Sequence, residues 1–251
     1  MWASEEILVV AASFLLAGLV KGLVGLGLPT IALALLATQM DLKAAIPLVL
    51  VPSLATNIWQ ALAGGALKAL VLRLWVFLLA ACAAIWFGAG LLAGLDASLP
   101  SGLFGALLCV YALVSLTGLQ MPPPGAKEPW LSPPLGLVNG AITGLTGSFI
   151  FPSVLYLQAL GLSRDHLVQA MGLTFLVSTL ALAVALSGHA LLPAEAGLLS
   201  AVALLPALGG MALGQAFRKR LPEARFRRLF FVALTALGAY LAWAAFLAPL
   251  Y

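Results

Sequence analysis

Long apolar runs, separated by short polar stretches, make up most of this 251-residue chain. Hydrophobic residues account for 63% of the chain and charged residues for only 8%, whereas about a quarter of the residues in a soluble domain are charged. The runs are too continuous for the alternating pattern of a membrane β-barrel. Since a helix needs about 20 apolar residues to cross a bilayer, the sequence predicts an all-α polytopic membrane protein.

Other features exclude several classes of function. The net charge of +4 bears on membrane orientation and gives no indication of a nucleic-acid partner. Cys82 and Cys109 lie in apolar runs without the spacing of a metal site. No HExxH or GxSxG motif is present, and no Asp or Glu lies in the core of an apolar run. We therefore expect no enzyme activity, no cofactor and no metal site.

Two similar glycine motifs indicate an internal duplication. "GLVKGLVGLGLP" begins at Gly18 and "GAITGLTGSFIFP" begins at Gly140, and a proline closes each. Both motifs have glycine at their first, fifth and eighth positions, which are Gly18, Gly22 and Gly25 in the first copy and Gly140, Gly144 and Gly147 in the second. The motifs predict two transmembrane repeats, residues 1–121 and 135–251, joined by a Pro-rich linker at residues 122–134.

Each predicted repeat offers four apolar segments, of which the first is unusual. The segments span residues 7–38, 43–63, 70–95 and 99–119, and then 135–161, 166–187, 193–216 and 226–248. As one helix, 7–38 would be about 48 Å long, against a hydrocarbon core of about 30 Å. Glycine and proline, which disfavour helix, cluster at its middle. We therefore expect the opening segment of each repeat to be a broken or re-entrant helical hairpin.

The distribution of positive charge favours the hairpin arrangement. Lys and Arg concentrate in cytoplasmic loops. If all eight segments cross, eight basic residues lie on one face and three on the other, with Lys21 set aside as intramembrane. If the opening segments are hairpins, ten lie on one face and only Lys43 on the other. Each repeat then crosses three times, which makes the two pseudo-symmetric repeats inverted with respect to each other.

With these motifs, the chain resembles the TauE/SafE family of sulfite exporters. The resemblance rests on "GLVKGLVGLGLPTIALALL" and "GAITGLTGSFIFPSVLYLQALGL" and covers nearly the whole chain. It implies a multi-pass protein of the bacterial cytoplasmic membrane whose substrate is sulfite, a sulfonate or a related organosulfur anion. The second motif departs from the usual glycine-rich form at residues 148–150, which leaves the substrate open.

The broken segments predict where an anion binds. A helix that restarts near Pro29 or Pro152 directs unpaired N–H groups and its positive dipole end toward the membrane interior, which is how helices bind anions elsewhere. Lys21 adds a full charge, and a bound oxyanion would compensate it; alternatively Lys21 only extends to an interface. The candidate residues in the two breaks are Lys21, Gly22, Gly25, Gly27, Gly144, Gly147 and Ser148. The pairs Gly18/Gly22 and Gly140/Gly144 also fit helix packing alone.

Polar residues in the second segment of each repeat are the remaining candidates. Ser53, Thr56, Asn57 and Gln60 share one helix face, and Thr174, Ser178 and Thr179 occur in the counterpart segment. They either bond to neighbouring helices or bind substrate oxygens. Thr56 and Thr179 are equivalent in the two repeats, so we include both, with Asn57, among the candidate binding residues.

The function that these features favour is a transporter that binds a small sulfur-containing anion near mid-membrane between the two hairpins and works by alternating access. A passive anion channel is the alternative, and a membrane-embedded enzyme is a weaker one. The expected partners are the anion and the lipid bilayer; the sequence does not specify an oligomeric state.

Overall fold

The computed structural model describes residues 4–25, 27–218 and 223–246, with the side chains of residues 218 and 223–227 excepted. These ranges are helical throughout their regular structure and contain no strand. In chain order the helices are α1 (Ser4–Val24), α2 (Leu28–Leu36), α3 (Leu42–Leu48), α4 (Leu50–Leu62), α5 (Leu67–Gly94), α6 (Ser98–Thr117), a short 3-10 helix (Gly125–Lys127), α7 (Glu128–Thr146), α8 (Ser153–Ala159), α9 (Arg164–Gly188), α10 (Ala194–Arg218) and α11 (Glu223–Phe246).

Six of the described helices are long and apolar enough to cross a membrane. They are α1, α5, α6 and α9, with most of α10 and of α11. A seventh candidate is the pair α3 and α4, which are bent by 43° at a short break. The prediction of an all-helical multi-pass membrane protein is therefore confirmed. The choice between hairpins and eight crossings, and the inversion of the repeats, stay predictions; Lys219 and Arg220, which entered the charge comparison, lie outside the described residues.

The chain forms two compact units, each containing segments from both halves of the sequence. Unit 1 comprises Met1–Pro52, Leu95–Leu119 and Pro193–Tyr251, and unit 2 comprises Ser53–Gly94 and Gln120–Leu192. In unit 1, α1 packs on α10, and α6 packs on α11. In unit 2, α5 packs on both α7 and α9. In each of these pairs, a helix from one half of the chain packs on a helix from the other half. Each pair except α6 with α11 includes a helix that carries a glycine motif or follows one.

The same glycine contact occurs in both units. A Cβ atom on Gly22 of α1 would lie 2.9 Å from the Cα of Gly214 on α10. A Cβ atom on Gly144 of α7 would lie 2.9 Å from the Cα of Gly88 on α5. Glycine is required at both positions because the two backbones approach so closely. These contacts give the packing interpretation of Gly22 and Gly144 a structural basis, and the duplication itself stays a prediction.

A proline and a serine shape the bend between α3 and α4. Because Pro52 has no N–H, the carbonyl of Leu48 cannot receive its usual helical hydrogen bond. The hydroxyl of Ser200 on α10 donates to that carbonyl at 2.7 Å. The same hydroxyl accepts a hydrogen bond of 3.0 Å from the backbone N–H of Val51. Pro47 lies inside α3 and Pro52 in the first turn of α4, and the bend between these helices is stabilised from α10.

The helix α7 begins earlier than the predicted apolar segment. It starts at Glu128, inside residues 122–134, where the sequence predicts a linker. Pro129 lies in its first turn, where a missing N–H is tolerated. The guanidinium of Arg73 on α5 makes a two-point ion pair with Glu128, with both N–O distances 2.7 Å, and also donates to the carbonyl of Leu160. These contacts fix the start of α7 against α5.

Candidate functional site

The first helix break lies in unit 1. Helix α1 ends at Val24, and the N–H of Gly25 donates to the carbonyl of Lys21 at 2.7 Å. Gly25 has φ 89°, and Gly27, the residue that precedes α2, has φ 97°. Only glycine adopts these conformations without strain, so the two glycines allow the chain to leave α1 and start α2 within three residues. Residue 26 lies outside the described structure.

Lys21 is buried in the last turn of α1. Its exposed fraction is 5%, and it is the one charged residue that is buried among those the structure describes. The negative end of the α1 dipole favours a cation at this position, but a charge inside a membrane span still costs about 3 kcal/mol. That a bound anion compensates this charge stays a prediction.

The N-terminus of α2 adds hydrogen-bond donors to the same break. This helix has nine residues, with Pro29 in its first turn, and the first N–H groups of a helix have no acceptor within it. Thr30 is 1% exposed, and its hydroxyl has no hydrogen-bond partner in the described ranges. Thr30 does not stand out in the sequence, because a threonine in an apolar helix usually bonds to its own backbone.

The second break, in unit 2, is closed by its own hydroxyl groups. Helix α7 ends at Thr146 and is capped by Gly147 with φ 70°. The hydroxyl of Thr143 donates to the carbonyl of Ser148 at 2.9 Å, and the N–H of Ser148 donates to the hydroxyl of Thr146 at 3.3 Å. The hydroxyl of Ser153 donates to the carbonyl of Phe149. The polar groups of this break thus bond largely to one another.

The two breaks differ chemically although their motifs match. Thr143 occupies the motif position that Lys21 occupies in the first copy, directly before the second glycine. Helix α8 has only seven residues, so its dipole is weaker than that of a longer helix. The expectation that both breaks supply an equivalent helix N-terminus therefore has support only at α2.

The candidates on the second segments are buried, and two of them bond to their own helices. Thr56, Asn57 and Thr179 are each no more than 3% exposed and all lie in unit 2. The hydroxyl of Thr179 donates to the carbonyl of Phe175 at 2.6 Å, and that of Thr56 donates to the carbonyl of Ser53 at 3.3 Å. Bonds to their own backbones are thus a third role for these threonines, besides the two predicted.

The predicted binding residues divide between the two units. Unit 1 contains Lys21, Gly22, Gly25 and Gly27, and unit 2 contains Thr56, Asn57, Gly144, Gly147, Ser148 and Thr179. In unit 1, Lys21, Gly25 and Gly27 lie within one stretch of seven residues that includes the break. Gly22 faces α10. That both breaks contribute to one site stays a prediction.

A further buried polar residue of unit 2 is missing from the sequence prediction. Asn139 on α7 is fully buried, and neither its Oδ1 nor its Nδ2 has a hydrogen-bond partner among the described residues. The only signal in the sequence is an asparagine inside an apolar run, "LGLVNGAITG". Thr174 and Ser178 on α9 are also buried, and their hydroxyls likewise lack partners in the part that the structure describes.

Comparison with known proteins gives one match. The model of the family described as sulfite exporter TauE/SafE matches residues 10–241. No curated protein and no solved structure matches the chain. The family match covers both glycine motifs and all helices from α1 to α11 in whole or in part. The chain belongs to the sulfite exporter TauE/SafE family.

Proposed function

We propose that this protein carries sulfite, or another small sulfur-containing anion, across the bacterial cytoplasmic membrane. The observation that carries the proposal is the buried Lys21 in the last turn of α1, the helix that ends at the break before α2, in a chain of a sulfite exporter family. A lysine ammonium and free helix N–H groups are both suited to an oxyanion. Lys21 is three residues before the end of α1 and α2 begins at Leu28, so both belong to the first break, in unit 1.

Several residues at this break are chemically suited to an oxyanion. Lys21 supplies the positive charge, and Gly25 and Gly27 leave no side chain between the ligand and the backbone. The hydroxyl of Thr30 supplies a further donor. Because the anion neutralises a charge that is costly to bury, its binding stabilises the folded protein as well as selecting the substrate.

The glycines that pack helices have an indirect role in this proposal. Gly22 is adjacent to Lys21 and holds α1 against α10. Gly144 holds α7 against α5 in the same manner. We propose that both contribute to binding by fixing the helix that ends in the break. The candidate residues of unit 2 contribute uncharged polar groups; they are Gly147, Ser148, Thr56, Asn57 and Thr179. Transport then proceeds by alternating access.

Ligand-dependent thermal stability tests this proposal. The purified full-length protein would be heated with sulfite, thiosulfate, sulfate, phosphate or chloride at increasing concentration. A ligand that binds only the folded state stabilises it by about 2.7 kcal/mol at one hundred times its Kd. We expect stabilisation by sulfite, and an apparent Kd at least about tenfold higher in Lys21→Met, since a charge-assisted hydrogen bond is lost.

Lys68→Met is the matched control, because Lys68 is exposed at the start of α5. It should bind sulfite as the wild type does. Normal binding by Lys21→Met would remove the lysine from the site. No stabilisation of the wild type by any sulfur-containing anion would contradict the proposed function itself.

A further inference from the structure

Helices α7 and α8 of unit 2 form a hairpin, because the contacts along them pair residues in opposite order. The hydroxyls of Ser132 and Tyr156 hydrogen-bond to each other at 2.5 Å, and the hydroxyl of Thr143 donates to the carbonyl of Ser148 at 2.9 Å. As the position advances from 132 to 143 along α7, its partner moves back from 156 to 148. Helix α8 therefore runs back along α7 toward the start of that helix.

Arg73 on α5 contacts both ends of this hairpin. Its Nε and Nη2 atoms each donate to the carboxylate of Glu128, the first residue of α7, at 2.7 Å. Its Nη2 atom also donates to the carbonyl of Leu160, the residue that caps the end of α8, at 3.2 Å. One side chain thus joins the beginning and the end of the hairpin to a third helix. We call Arg73, Glu128 and Leu160 the clasp.

Helices α5 and α9 are parallel and begin at the end of unit 2 where the clasp lies. Near that end, the N–H of Ala66, just before α5, donates to the side chain of Gln169 on α9 at 2.9 Å. At the other end, the ring of Trp86 on α5 lies 4.9 Å from the ring of His189, which caps the end of α9. The chain therefore returns to its starting end between α7 and α9, as a re-entrant hairpin requires.

The positive charge of unit 2 lies at the same end. Unit 2 is described in full, and its four basic residues lie at or near the beginnings of α5, α7 and α9; they are Lys68, Arg73, Lys127 and Arg164. Lys and Arg concentrate on the cytoplasmic side of membrane proteins, so this end faces the cytoplasm. The break at residues 147–150 is buried in protein, which is where irregular backbone is tolerated at membrane depth.

The clasp is more accessible to water than the contacts inside the hairpin. The side chains of Arg73 and Glu128 are 38% and 17% exposed, whereas all four residues of the contacts along α7 and α8 are buried. A partly exposed ion pair contributes little to stability, but breaking a buried hydrogen bond leaves polar groups unpaired at a greater cost. The hairpin therefore opens at the lowest cost at the clasp.

We propose that the clasp is a gate at the cytoplasmic end of unit 2. It is closed in this structure, and its opening lets the end of α8 move away from α7 and exposes the interior of the hairpin to the cytoplasm. Arg73 is then a positioning residue that does not touch the transported anion. The place of the gate in transport rests on the proposed function, because alternating access requires parts that open to one side of the membrane at a time.

Single cysteines test where the hairpin enters and leaves the membrane. With Cys82 and Cys109 replaced by alanine, one cysteine would be placed before α7 (Lys127→Cys), at the start of α9 (Asp165→Cys) or at the other end of α9 (Ser187→Cys); all three positions are exposed. A thiol reagent that cannot the membrane cross would be added to one side of sealed vesicles. We expect the first two cysteines to react from the cytoplasmic side and the third from the opposite side. Reaction of the first two from opposite sides would overturn the hairpin, and reaction of both from the outer side would overturn its orientation.

A cysteine inside the hairpin tests the gate. Ser132 is 3% exposed and lies one turn after Glu128, so Ser132→Cys should react slowly with the same reagent while the clasp is closed. Arg73→Met removes the donors of the clasp and should raise the reaction rate about fivefold, since the open population grows by the upper value for a partly exposed ion pair. Glu128→Gln weakens the clasp from the other side and should also raise the rate. Arg164→Met is the matched control: it removes an exposed arginine at the same end and should leave the rate unchanged.

Hydrogen–deuterium exchange of residues 157–160, at the end of α8, gives the same information without a cysteine. Exchange there should be faster in Arg73→Met than in the wild type by a similar factor, and unchanged in Arg164→Met. An unchanged cysteine reaction rate and unchanged exchange in Arg73→Met would overturn the gate and leave the anion site at Lys21 in place. Equal increases in Arg73→Met and Arg164→Met would show an effect of net charge and would also overturn it. Failure of sulfur-containing anions to stabilise the wild type would contradict the proposed function, and with it the role of the gate in transport, but not the opening itself.

Discussion

Single residues carry the chemistry of this protein, and only some of them stand out in the sequence. A lysine in an apolar run is conspicuous, and so are glycines clustered before a proline, so Lys21, Gly25 and Gly27 can be selected without a structure. Whether a buried polar group has a hydrogen-bond partner depends on how the chain folds around it. Thr143 and Asn139 are one turn apart on α7, yet the first is bonded and the second is not.

This difference predicts opposite effects of two substitutions on stability. Asn139→Leu replaces an unpaired buried amide by an apolar group of similar shape, so the free energy of unfolding without ligand should stay equal or rise by about 1 kcal/mol. Thr143→Val removes the donor to the carbonyl of Ser148 and should lower it by about 1 kcal/mol. Thermal unfolding of the purified variants measures both. A loss in Asn139→Leu as large as that in Thr143→Val would show that the amide has a partner.

At the scale of helices, glycine and proline indicate where some helices end, and the sequence is less informative about where helices begin. The clustered glycines and prolines indicate the ends of α1 and α3, because these residues act through their own backbone. The start of α7 at Glu128 is obscured by prolines that resemble a linker but are accommodated in a helix fixed by the Arg73 ion pair. That ion pair joins positions 55 residues apart, so no local pattern reveals it.

Two adjacent glycines of α10 test the packing of helices in unit 1. A Cβ on Gly210 would lie 2.8 Å from the backbone nitrogen of Leu19, whereas a Cβ on Gly209 would meet no atom within 4 Å. Gly210→Ala should therefore separate α10 from α1 and destabilise the protein by about 1–3 kcal/mol. Gly209→Ala should be neutral or stabilising by up to about 1 kcal/mol, since alanine favours helix. Equal effects on the thermal unfolding temperature would contradict the close contact.

The whole molecule is organised differently from its sequence halves. The glycine motifs predict two repeats, one in each half of the chain, but each compact unit contains segments from both halves. Pairings such as α1 with α10 are long-range contacts, which a pattern of apolar residues does not specify. Local chemistry thus predicts the helices and their breaks, and the structure is needed to identify their partners.

Expression of the two halves tests this organisation. Residues 1–121 lack the partners of α1 and of α6, and residues 122–251 lack the partner of α7. Neither half should therefore give a stable membrane protein alone, whereas the two halves expressed together should assemble and be purified as a complex. Cooperative thermal unfolding of either half on its own would show that the units do not depend on both halves.

The most direct test of the central claim is sulfite transport into liposomes that contain the purified protein. We expect uptake that saturates with sulfite concentration, that falls at least about tenfold in Lys21→Met, and that is unchanged in Lys68→Met. Uptake that does not saturate would indicate a channel. Wild-type rates in Lys21→Met would contradict an anion site built on the buried lysine at the end of α1.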